Sequence, residues 1–104
     1  MPARAQPGQD GFARRNGLDV FTSVGLSNDD VRAICFDKSA RRAQQRLSEL
    51  HEMLELLLSV YTIEGASVWL FSPSPMLDGE SPVIAMKEGR LPEVTRLVAL
   101  VVHA

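Results

Sequence analysis

The 104-residue chain is 45% hydrophobic and 23% charged, with a net charge of −2, the composition of an ordinary globular protein holding one modest core. This excludes two independent domains and a wholly disordered chain. The longest wholly apolar run, Leu97 to Val102, falls far short of the roughly 20 residues a membrane helix needs, so membrane insertion is excluded too.

Charge is unevenly divided: residues 1–46 hold eight Lys/Arg against five Asp/Glu, and residues 47–104 hold three against eight. A basic surface for an anionic partner can therefore sit beside an acidic surface for another. Cys35 has no internal disulfide partner, and no charged start followed by an apolar run marks a signal peptide. A cytoplasmic location is expected.

Residues 1–17 carry Pro2, Pro7, Gly8, Gly11 and Gly17 among polar residues, with Phe12 the only large apolar side chain, and read as a flexible tail. Leu18 to Phe21 can form a helical turn that Thr22, Ser23 and Gly25 close. Ser27 then caps a helix with Asp30 reaching back as a capping box, and Val31, Ile34 and Cys35 form its apolar side. That helix should fail near Phe36 to Lys38.

Ser39 is positioned to cap a longer helix running to about Tyr61. Along it Ala40, Ala43, Leu47, Leu50, Leu54, Leu57 and Tyr61 recur at alternating three- and four-residue spacing, a heptad seam of the kind that pairs helices. Met53, Leu56, Leu58 and Val60 add apolar groups off the seam. Gly65 is expected to break the chain before a short helix over Ala66 to Phe71, which the prolines end. Asp78-Gly79 signals a turn, Ser81-Pro82 a helix start and Gly89 its end. Pro92 opens a last helix with Val94, Leu97, Val98 and Val101 on one face, although its β-branched content makes a strand a competitor.

Lys38, Arg41, Arg42 and Arg46 gather at the amino end of the long helix, where cations meet the unfavourable end of the helix dipole. They are read either as contacts to DNA phosphates or as a solvated face with Arg46 paired to Glu49. Cys35, His51 and His103 are the only nucleophile and base candidates. No Asp or Asn is placed to orient a histidine, no spacing suits zinc, and no glycine-rich loop cradles phosphate. Neither enzyme activity, a cofactor nor a metal is expected. Trp69, Leu70 and Phe71 read first as core anchors and second as interface residues.

The wording Trp69-Leu70-x-x-Pro73-x-Pro75-x-Leu77-x-Gly79-x-x-Pro82 resembles the signature of the MbcA/ParS/Xre family of type II antitoxins, in its carboxy-terminal toxin-binding domain. The resemblance runs over about residues 47–104, through Gly89 and the Val94, Leu97, Val98, Leu100 pattern. Ser74 stands where the family usually has Asn, and Leu26 to Gln45 is short for a complete Xre region.

The resemblance implies an all-α fold, a small helical bundle with a long central helix. Residues 18–46 would be a reduced Xre-like helical region and 47–104 the toxin-binding helical domain. It implies neutralisation of a RES-domain, NAD-degrading toxin by covering its active-site cleft. Trp69, Leu70, Pro73, Pro75, Leu77, Gly79 and Pro82 would shape the domain, with Arg90, Arg96, Leu97, Leu100, Val101 and His103 as toxin contacts. Operator DNA and a second copy of the chain are the further expected partners. The competing expectations are a DNA-binding autorepressor and an inert antitoxin remnant.

Overall fold

The computed structural model describes residues 18–103, with side chains from residue 20 onward. The expected tail at 1–17 lies outside the described residues. Six α-helices and one 3-10 turn account for the described fold, with no strand among them: α1 Leu18–Ser23, α2 Asn28–Cys35, α3 Ala40–Leu57, α4 Ile63–Phe71, the 3-10 turn Pro75–Leu77, α5 Pro82–Lys87 and α6 Leu91–His103. The all-α expectation holds, and the last element is helix rather than strand.

Local chemistry fixes most helix ends. Ser27 Oγ accepts from the Asp30 amide while Asp30 Oδ2 accepts from the Ser27 amide, both at 3.0 Å, completing the capping box of α2. Ser39 caps α3 and Ser81 caps α5, with Pro82 in the first helical turn. At the end of α5 the Arg90 amide donates to Ala85 O and the Gly89 amide to Met86 O, a Schellman closure that needs the left-handed φ of 91° at Gly89. The same closure ends α1, where Gly25 has φ 94°.

Two boundaries differ from the sequence reading. α3 stops at Leu57 instead of Tyr61, because the chain tightens there: Ser59 N donates to Leu56 O at 3.1 Å and Val60 N to Leu57 O at 3.2 Å, while Ser59 Oγ also takes Leu56 O. Gly65 does not break the chain. Thr62 caps α4 by accepting from the Gly65 amide at 3.0 Å, so this glycine sits inside the first turn.

α3 is the axis of the bundle. α1 and α2 pack on it, α6 lies along it, and α5 bridges α2, α4 and α6. Leu50, Leu54 and Leu57 of α3 and Val94 and Val98 of α6 are fully buried in one cluster that also takes in Ile34 of α2, Leu70 of α4 and Met86 of α5. The carboxy-terminal half of the heptad seam is thus consumed by the chain's own core. The expected division at 46/47 falls within α3, and the core cluster draws on residues from both sides of it.

Lys87 adds a cross-brace. Its Nζ lies 2.6 Å from Asp30 Oδ1, joining the end of α5 to the start of α2. The hydrogen bond from Lys87, then that from the Ser27 amide, holds the Asp30 carboxyl below its ordinary range.

Candidate functional site

The proline-rich segment is a closed loop with a defined backbone function for most of its residues. Ser72, Ser74 and Ser81, each preceding a proline, are all extended, the conformation the following ring favours. Ser74 Oγ accepts from the Met76 amide at 3.2 Å, serving as the turn-forming side chain at the position where Asn was expected by resemblance. Its carbonyl accepts from the Leu77 and Gly79 amides, and its amide donates to Glu80 O at 3.0 Å. Asp78 and Gly79 turn the chain through left-handed φ values of 59° and 85°. Leu77 plugs the loop into the core.

Of the seven residues expected to shape this region, Leu70, Leu77 and Pro82 are buried and Trp69 is half-buried against the core. Pro73, Pro75 and Gly79 are exposed, acting on the backbone rather than through packing. Leu70 alone of the Trp69-Leu70-Phe71 trio is fully buried; Phe71 keeps 45% of its surface exposed.

Arg90 locks this loop to the start of α6. Its Nε and Nη2 donate to the two Glu93 carboxylate oxygens at 2.9 Å each, its Nη1 reaches Glu80 at 3.4 Å, and Asp78 lies 3.7 Å away. The bidentate bond with Arg90 holds the Glu93 carboxyl below its usual range. Glu80 moves the other way, pushed up by a shared hydrogen bond with Glu88. Arg90 was expected as a toxin contact; three carboxylates already engage it, which fits it to position α6.

The other expected contacts divide along α6. Leu97 and Val101 are half-buried, Leu97 against the core, whereas Arg96, Leu100 and His103 stand exposed. These three, with Ala99, line a shallow and mostly apolar hollow on the outward side of the helix. Leu100 is 63% exposed.

At the other end, Lys38, Arg41 and Arg42 are exposed and have no ion pair among the described residues. Arg46 differs from them. It donates to the Phe36 carbonyl and lies 3.3 Å from Asp37, not Glu49, so it ties the α2–α3 connection.

Cys35, His51 and His103 do not form a hydrogen-bonded set. Cys35 is buried beside Val31 and Leu47, its thiol pushed up by burial. His51 meets Phe21 edge-on at 6.1 Å between ring centres and lies 3.8 Å from Glu55. No cluster of three metal-ligating side chains occurs among the described residues, and no helix described is long and apolar enough to cross a membrane. No family model, curated protein or solved structure matches the chain.

The Asp30–Lys87 brace and the full set of Arg90 partners were missed in the sequence. Only Arg90–Glu93, three residues apart, carried a local signal. The exposed apolar side of α4 was missed as well, although Val68 and Phe71 share no helical stripe with Ala66 and Leu70.

Proposed function

We propose that this protein is a type II antitoxin that neutralises a RES-domain, NAD-degrading toxin by covering its active-site cleft, with the outward face of α6 as the contact. The observation that carries the reading is the joining of the Trp69–Pro82 wording to that face. The loop it encodes is clamped by Arg90 to α6, and α6 then presents Leu100 as an apolar anchor between Arg96 and His103. An exposed leucine beside an arginine suits docking on a protein surface with an apolar socket and an acidic group at its rim.

Co-expression with the product of the adjacent reading frame tests it. The wild-type protein should restore growth and cellular NAD, while Leu100→Asp and Arg96→Glu, both at exposed positions, should lose rescue yet fold normally. A harmless neighbour, or a toxic one unaffected by this protein, defeats the reading. A second role as autorepressor draws on the exposed Lys38, Arg41 and Arg42. Neutralising Arg41 and Arg42 should then weaken DNA binding and flatten its salt dependence.

A further inference from the structure

The second half of α3 carries charge against its own dipole. Glu49, Glu52 and Glu55 stand at three-residue spacing on its exposed side, Glu55 within the last turn, and no basic residue occupies that turn. Like charges at this spacing repel, and carboxylates close to a helix carboxy terminus meet its negative end. Glu49 and Glu52 have no ion pair among the described residues, and Glu55 has only His51, at 3.8 Å. The acidic stripe ends in a groove between α3 and α6. Met53, Leu56 and Pro92 line it, with Glu49 and Glu52 on the α3 side and Arg96 on the α6 side. The groove is open and mostly apolar, about 390 Å³ in volume, which leaves room for an aromatic ring.

Charge and reach select the occupant. Residues 1–17 hold Arg4, Arg14 and Arg15 against Asp10, and Phe12, their only aromatic residue, stands two positions before the arginine pair. An aromatic ring for the groove and two guanidinium groups for the carboxylates thus lie side by side in one short segment. Phe21 of α1 packs edge-on against His51 of α3, so the chain enters the described fold on the flank of α3 next to Glu55. Turning about 100° per residue, α3 places Glu55, Glu52 and Glu49 in successive steps from His51 round to the groove, a path of about 15 Å on a helix about 10–12 Å across. Phe12 lies six residues before Leu18 and Arg15 three, spans of up to about 20 Å and about 10 Å.

We propose that residues 12–15 fold back across the exposed side of α3 as a strap, with Arg14 and Arg15 on Glu49, Glu52 and Glu55 and the Phe12 ring in the groove between α3 and α6. The strap neutralises the acidic stripe and covers the open edge of Leu56, which the described fold leaves half-buried. It holds whether or not a toxin is the partner of α6, because Leu100 lies outside this groove.

Limited trypsin digestion of the purified full chain tests the strap, with Arg4 as an internal reference and each rate scaled to that in a peptide of residues 1–20. Cleavage after Arg14 and Arg15 should be at least about tenfold slower than after Arg4 at any protein concentration, since a site held against the fold is cut only when it opens. Glu49→Gln combined with Glu52→Gln, both at exposed positions, should speed cleavage after Arg14 and Arg15 about fivefold or more and leave Arg4 unchanged. Thermal melts by circular dichroism check folding, and if the double variant melts early, Phe12→Ser replaces it with the same expected gain. Three results overturn the proposal: wild-type cleavage after Arg14 and Arg15 as fast as after Arg4, protection lost on dilution as a second copy's segment would lose it, or a folded variant that keeps full protection.

Discussion

α3 and α4 are both rich in large apolar side chains and dispose of them in opposite ways. Along α3, Leu50, Met53, Leu54 and Leu57 recur at helical spacing, all turn into the core, and leave Glu49, Glu52 and Glu55 exposed. Along α4 apolar residues occupy the inward and outward sides alike, so burying Ala66 and Leu70 leaves Val68 and Phe71 uncovered. The difference teaches that apolar periodicity lets a helix bury all its large side chains on one side, whereas apolar content without periodicity leaves part of it exposed.

The sharpest way to break this contrast is to truncate one leucine and one valine. Leu54→Ala removes a fully buried side chain at the centre of the bundle and should cost about 2–5 kcal/mol in denaturant unfolding. Val68→Ala, at an exposed position, should cost less than about 0.5 kcal/mol. Similar costs at the two sites would erase the distinction between an enclosed and a presented helix.

Gly79→Val tests the loop that joins the two kinds of surface. Nothing stands within 4 Å of the added Cβ, so the penalty is backbone strain at φ 85°, about 1–2 kcal/mol. Ser27→Ala removes the cap of α2 and should cost about 1 kcal/mol by the same unfolding measurement.

The smallest effect is a pH dependence in the Asp30–Lys87 brace. A carboxyl whose folded pKa is lowered contributes its stability fully above the unfolded value near ~3.9 and loses it as pH falls from there toward the folded value. Asp30→Asn should therefore lower the melting temperature at neutral pH and flatten its decline as pH falls below about 5. An unchanged acid slope would remove Asp30 from the account of acid stability.

What could be read in the sequence was local. The Ser27–Asp30 box, the caps at Ser39 and Ser81 and the stop at Gly89 each depend on residues within a few positions, and each occurs where expected. The end of α3 was misread because Ser59 turns back to the Leu56 carbonyl inside a stretch whose apolar seam continues to Tyr61. In the candidate site, the spacing of Leu97, Leu100 and Val101 could not separate inward from outward residues until α6 had settled on α3 with Val94 and Val98 beneath it. The role of Arg90 was hidden for a related reason. Asp78 and Glu80 reach it only because the left-handed turn folds them back towards α6.

The proposed contact is the outward face of α6, where Leu100 stands beside Arg96 and His103. Native mass spectrometry of the protein co-purified with the product of the adjacent reading frame, in wild type, Leu100→Asp and Val68→Asp forms, tests it most directly. Leu100→Asp should release the partner, while Val68→Asp, at an exposed position on α4, should retain it. A partner retained by Leu100→Asp, or released equally by both substitutions, would contradict it.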